Sequence, residues 1–196
     1  MKMTDIIEKA ITYVKALSSE ESTGHDFHHA MRVYNTAISL SKSLEVDKEV
    51  IALASLLHDL DDYKVSEYGS HRTIDFLKEH ASQKTRESVI SIIDNMSYSS
   101  YKEGKHVDTL EGKIVQDADR LDALGAIGIA RCFAYSGKIN RLIYNYSIDD
   151  NSAVAHFYQK LFNLADLMNT EEAKKIAEER IVFMKEYLKE FFKEWL

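Results

Sequence analysis

The sequence predicts a compact all-α fold, and three observations predict it. Apolar residues recur at helical spacing in one segment after another, no stretch shows the period-two alternation of a half-buried strand, and the 196 residues contain no proline. Without proline, helices end where capping side chains and glycines end them, so short turns between helices are expected. With 45% hydrophobic residues the chain can bury a full core. The expected arrangement is a single helical domain with its core over about residues 20–135 and C-terminal helices over 153–196 packed on it.

Taken in order, Ile6, Ile7, Ala10, Ile11, Val14 and Leu17 form a first helical stripe, which Ser18 to Gly24 breaks. Asp26 is the candidate N-cap of a second helix over Phe27 to Leu44, with Phe27, Met31, Tyr34 and Ile38 among its apolar positions. Asp47 is placed to cap a third helix whose body runs from Val50 to His58. Further helical stretches fall around Ile74 to Leu77 and from Glu87 to Met96, whereas Ser97 to Thr109 loses periodicity and reads as a loop. Periodicity returns in LEGKIVQDADRLDALGAIGIARCFAY, a long or broken helix in which Gly125 and Gly128 permit close packing. Ser136 to Ser152 is a polar, aromatic-rich connection. Two helices close the chain, Ala153 to Met168 and Glu171 to Leu196, with Thr170 capping the second. That last helix is amphipathic and aromatic and reads as packed on its own core, a homodimer contact being the lesser alternative.

The formal charge of −7 disfavours a nucleic-acid polymer as partner, because broad nucleic-acid binding needs a basic surface. It leaves open a small phosphorylated substrate held by a metal and a few local cations. No apolar run approaches a membrane span, and the N-terminal MKMTDIIEKA already contains acids and lacks a signal-peptide core, so the expected location is cytoplasmic. The lone Cys132 rules out an intramolecular disulfide and is expected to pack as a small buried hydrophobe.

Three places set metal-binding side chains against apolar helix: GHDFHHAMRV (Gly24 to Val33), LLHDLDD (Leu56 to Asp62) and QDADRLDALG (Gln116 to Gly125). Imidazole suits borderline transition metals and carboxylate suits harder ions, so a mixed set points to Mn²⁺, Fe²⁺, Co²⁺ or Zn²⁺. Each place alone has a plainer reading. His25 reads as a satisfied polar residue at a helix start, and Asp117, Asp119 and Asp122 read as a solvated helix face. His25 and His29 stand at i and i+4 but lack the glutamate of the HExxH zinc motif.

Together the three places follow an ordered H…HD…D pattern, and in this the chain resembles the HD-domain metal-dependent phosphohydrolases. HxxRV occurs as His29 to Val33 and ADRL as Ala118 to Leu121. EGKIVQDADRLDALGAIGIAR, AYSGK and DLMNTEEAKKIAEER are similar to the small bacterial YpgQ/YedJ-like branch, over nearly the entire chain. The resemblance implies an all-α bundle of the HD-domain type and one divalent ion, Mn²⁺ preferred with Mg²⁺ among the other choices, held by His29, His58, Asp59 and Asp119. The HxxRV frame selects His29 over His28, and the ADRL frame selects Asp119 over Asp117 and Asp122, with Asp122, one turn later on the same face, expected to support an arginine or water. His25 and Asp26 would orient the start of their helix or support the ligands.

Asp62 follows His58 by four residues and returns to its face if the helix persists. It resembles the acidic residue that accompanies the HD pair in stringent-response alarmone hydrolases, which makes it the candidate general base; Asp61 faces elsewhere and reads as solvated. Arg32 and Lys64 are the candidate phosphate-binding residues, with Lys102, Lys105 and His106 as loop cations, and Tyr98, Tyr101, Tyr144 and Tyr146 as candidate base-stacking rings. The implied reaction is hydrolysis of a phosphate bond in a nucleotide, preferably of a nucleoside triphosphate to monophosphate and pyrophosphate. The alternatives are a phosphomonoesterase, a cyclic-nucleotide phosphodiesterase, or a nucleotide-sensing module without turnover.

Overall fold

The computed structural model of the chain describes residues 3–18, 24, 26–61, 71–146 and 151–195, and among these no strand occurs. The chain divides into two compact units, Met1–Asp119 and Arg120–Leu196. In the first unit α1 (Met3–Leu17), α2 (Phe27–Leu40), α4 (Arg72–His80) and α5 (Gln83–Met96) accompany a central α3 (Lys48–Leu57). The centre is legible in α3 itself. Every residue from Val50 to Leu57 is buried, so this helix is covered on all sides, and α1, α2 and α5 each pack on it. Leu53, Leu56 and Leu57 are at most 1% exposed, and burial of each contributes ~1.5–3 kcal/mol. That anchoring fixes where α3 ends, and the residues just past its end are His58 and Asp59.

The caps are those the sequence offers. Asp26 accepts the His29 N–H, Asp47 those of Glu49 and Val50, and Ser82 that of Thr85. Some boundaries differ from expectation: α5 begins at Gln83 rather than Glu87, and the helix before the Ser136 connection runs on to Lys138. The second helix stops at Leu40 rather than Leu44, because Ser41 closes it with its N–H on Ala37 O. The expected loop after Met96 holds a one-turn helix, α6 (Tyr98–Lys102), capped by Ser97 on the Ser100 N–H. A single turn with only Ser100 buried leaves no apolar period to detect.

The long patterned segment is broken into α7 (Leu110–Asp122) and α8 (Gly125–Lys138). Gly125 adopts φ +72°, which L residues with a Cβ rarely take, and a Cβ on Gly128 would stand 2.2 Å from Ala123 O. Gln116 on α7 donates to Met96 O at 2.9 Å, and Asp47 N–H donates to Glu111 at 3.0 Å, which places α7 against the rest of the first unit.

In the second unit the expected helix after Ser152 begins as α9 (Ala153–His156), widens into a π turn over Phe157–Leu161 and tightens to 3₁₀ geometry over Phe162–Leu167. The final α10 (Glu171–Trp195) buries Ala173, Ala177, Ile181, Met184 and Leu188 on one face. Thr170 Oγ1 accepts the Ala173 N–H, as its expected capping role requires. Cys132 is buried, with its Sγ 3.5 Å from Ala153 O. Among the described residues no helix is long and apolar enough to cross a membrane.

Candidate metal centre

Three elements of the first unit deliver ligating side chains to one point. His29 lies in the first turn of α2, where Asp26 accepts its backbone N–H at 2.7 Å, so the cap that starts the helix also fixes the histidine. His29 is 1% exposed whereas its neighbour His28 faces solvent. His58 follows α3, and its Nδ1 donates to Ser55 O at 2.9 Å. A carbonyl can only accept, so in the neutral ring the proton sits on Nδ1 and the Nε2 lone pair is left for the cluster. Asp119 stands near the end of α7 with its side chain 33% exposed, on the open side.

His29 Nε2 and His58 Nε2 are 3.2 Å apart. Asp119 Oδ1 lies 3.5 Å from the first nitrogen and 3.7 Å from the second, while Asp59 reaches both, with Oδ2 at 3.2 Å from His29 and Oδ1 at 3.4 Å from His58. The fit to an ion follows from these spacings. Ligand bonds of ~2.0–2.2 Å set neighbouring donor atoms ~2.9–3.6 Å apart around tetrahedral or octahedral ions. Two imidazole nitrogens facing each other at 3.2 Å can share at most one proton, and a cation between them satisfies both. His29, His58 and Asp119 thus form a divalent-metal-binding cluster, with Asp59 in contact with both histidines.

Without a cation the same carboxylates hold a proton. Burial of the His58 ring opposes protonation, but the Asp59 charge, the hydrogen bond to Asp119 with its charge, and the Ser55 carbonyl outweigh it and raise its pKa to about 9. For Asp119 burial again opposes, and the hydrogen bond from His58 and the charges of both histidines outweigh it, lowering the carboxyl to about 2.

Other acids and a cation near the cluster are engaged elsewhere or buried. Asp122 does not form part of a solvated face: it is buried and pairs with Arg131 Nη1 at 2.8 Å. Asp117 is also buried, with no exposure at all. Arg120, next to Asp119 in sequence, donates through Nη1 to Leu167 O. Asp61 is more than a solvated acid. Its two oxygens accept the N–H groups of Arg72 and Thr73 at 2.9 and 3.0 Å, capping α4, whose own N-cap residue His71 supplies no side-chain bond. An acid capping a helix eleven positions later leaves no local signature, and neither does a backbone carbonyl such as that of Ser55.

Arg32 is half-buried on α2, one turn beyond His29. Asp62, Lys64 and His25 lie outside the described residues. α3 ends at Leu57, and the Leu60 N–H closes a three-residue turn on Leu57 O at 3.2 Å. The loop cations are engaged locally: Lys102 Nζ sits 5.1 Å from the Tyr98 ring centroid, Lys105 pairs with Glu103 at 3.1 Å, and His106 meets the Tyr101 ring. Tyr144 and Tyr146 pack edge-on, and Tyr144 continues onto Phe192 and Trp195 of α10, so these rings build an aromatic cluster.

Known proteins share both the pattern and the fold. The HD domain family model matches residues 26–124, half of the chain, and includes the three cluster residues and Asp59. YpgQ of Bacillus subtilis (strain 168) is 37% identical, over 99% of this chain and 96% of that protein. Among solved structures, an HD-superfamily hydrolase from Bacillus thuringiensis is 44% identical with TM-score 0.79, covering 99% of this chain and 98% of that one. Bacillus subtilis YpgQ in complex with ADP is 34% identical with TM-score 0.81, covering 99% and 97%. With its metal cluster set on the residues of the H…HD…D pattern, the chain belongs to the HD-domain superfamily, in the YpgQ-like branch.

Proposed function

We propose that the protein is a metal-dependent phosphohydrolase acting on nucleotides, with His29, His58, Asp59 and Asp119 as ligands of one divalent ion, Mn²⁺ by preference. The observation that carries this reading is the convergence of two imidazole nitrogens and two carboxylates at 3.2–3.7 Å, spacings that suit the ligands of one ion. A divalent ion held there supplies Lewis acidity toward a phosphate oxygen and lowers the pKa of water. Membership of the HD superfamily supports hydrolysis, and the ADP carried by the related YpgQ supports a nucleotide as substrate.

The preferred reaction is cleavage of a nucleoside triphosphate between the α- and β-phosphates. Water oxygen adds to the α-phosphorus, the bond to the bridging oxygen breaks, and its electron pair leaves with pyrophosphate. Asp62 is assigned to accept the proton of the attacking water, and Arg32 and Lys64 to hold the phosphate oxygens that become pyrophosphate, the guanidinium as a planar fork and the ammonium as a point charge. The role of Asp62 rests on the family pattern.

Turnover of a nucleoside triphosphate panel by the Mn²⁺-loaded protein in ¹⁸O water, read by mass spectrometry, tests the assignment. Label in the monophosphate is the expected result. Label only in inorganic phosphate would replace it with a phosphatase acting at the terminal phosphate, and nucleotide binding without turnover would make the protein a sensor.

A further inference from the structure

The short stretch of chain that carries His58 and Asp59 is bonded on both sides to the first turn of α4. Before His58, the Leu57 carbonyl accepts the Leu60 N–H and the Thr73 hydroxyl, each at 3.2 Å. A carbonyl oxygen has two lone pairs, so these two donors satisfy it. After Asp59, the Asp61 carboxylate accepts the N–H groups of Arg72 and Thr73 at 2.9 and 3.0 Å. Thr73 thus bonds on either side of the ligand pair, through its hydroxyl before His58 and through its N–H after Asp59.

The N–H groups that open a helix have no partner inside it. His71, at the N-cap position of α4, offers no side-chain bond, and Asp61 supplies what it does not. A carboxylate there also meets the positive end of the helix dipole. The two holds differ in strength. Asp61 lies at the surface, where water competes for its oxygens. The Thr73 residue is only 4% exposed, and a hydroxyl so buried costs stability unless it is bonded. Its acceptor is the last carbonyl of α3. The base of the hold is firm, because Phe76 and Leu77 of α4 and Leu60 of the turn are all buried in the core.

We propose that Thr73 and Asp61 are positioning residues of the metal centre. Neither binds the ion. The first turn of α4 fixes the backbone on both sides of His58 and Asp59, so that their donor atoms stand at ligand spacing before an ion arrives. Ligands set in place beforehand bind more tightly, because less ordering is left to be done on binding. The proposal rests on the metal centre and on no particular reaction there.

The test loads the full chain with Co²⁺, whose visible bands report ligand geometry, and measures affinity by competition with a chelator. Thr73→Val keeps the shape of the side chain and loses the hydroxyl; it should weaken binding ~tenfold and alter the bands. Thr73→Ser returns the hydroxyl and should recover both. Asp61→Asn should weaken binding severalfold, and it decides the matter where Thr73→Val does not fold. Ser82→Ala removes the cap of α5 and gauges what lost stability alone does. It should lower the denaturant midpoint and leave affinity and bands as they are. Wild-type affinity in Thr73→Val, a loss no greater than in Ser82→Ala, or no recovery in Thr73→Ser overturns the proposal and leaves the metal centre standing. So does unchanged affinity in Asp61→Asn where that variant decides. A wild type that takes up no Co²⁺ overturns the centre and the proposal together.

Discussion

Raising the pH should strengthen metal binding well beyond the range where an ordinary histidine stops responding. In the metal-free cluster His58 stays protonated up to about 9, against the usual 6.5. Its Nδ1–H is committed to Ser55 O, so the Nε2 proton is the one that an ion must displace. Between pH 7 and the His58 pKa of about 9, that proton weakens apparent affinity ~100-fold at pH 7, equal to ~2.7 kcal/mol. An unperturbed imidazole, mostly neutral at pH 7, would weaken it by less than ~2-fold. Competition against a chromophoric chelator, corrected for the chelator's own protonation, should show affinity rising ~tenfold per pH unit from pH 7 to 8.5. Calorimetry in buffers of different ionisation enthalpy should find ~1 proton released per ion at pH 7. An affinity that is flat above pH 7, or proton release near zero, refutes the coupling of His58 to Asp59 and Asp119.

The metal-free protein should respond in the opposite direction. A raised His58 pKa contributes stability that is complete below 6.5 and is lost as pH rises through about 9. The lowered Asp119 pKa contributes stability that is complete above 3.8 and is lost as pH falls through about 2. Chelated protein therefore loses stability on the alkaline side, over the same interval in which the ion binds more tightly.

Other perturbations separate the remaining roles. Asp62→Asn should lower turnover ~10²–10⁴-fold at unchanged metal content; full activity would leave water activation to the ion. Asp122→Asn strands the Arg131 guanidinium and should cost ~3 kcal/mol or more in denaturant unfolding, with metal content unchanged because Asp122 is no ligand. Gly128→Ala forces a Cβ to within 2.2 Å of Ala123 O and should cost ~1–3 kcal/mol or more. Gly137→Ala on the same helix meets nothing within 4 Å and should gain ~0.4–1 kcal/mol; equal effects at the two glycines would count against the close α7–α8 junction. Chelation should lower the Tm of the wild type, since the ligands come from α2, the end of α3 and α7.

The fold was legible wherever a local signal had a local cause. Asp26, Asp47 and Thr170 cap the helices they precede, because a short acceptor side chain acts within three residues of itself. The break at Gly125 was open in the pattern, and it is the positive φ, together with the absence of room at Gly128, that decides for two helices. Helix character beyond Ser152 was legible, but the change to π and 3₁₀ turns was not, since these alter hydrogen-bond partners without altering which residues are apolar.

The candidate site was legible to the extent that its chemistry is carried by side chains in a sequence frame. Burial separates His29 from His28, and Asp122 is engaged with Arg131. What stayed hidden is carried by backbone or by distance along the chain. The Ser55 carbonyl that sets the His58 tautomer belongs to no residue type, and Asp61 caps a helix far from its own. Asp62 returns to the face of His58 only if the helix persists, and it lies outside the described residues. α3 itself ends at Leu57, while Leu60 in the turn that follows is still buried in the core. The chain turns there, with His58 and Asp59 both against His29.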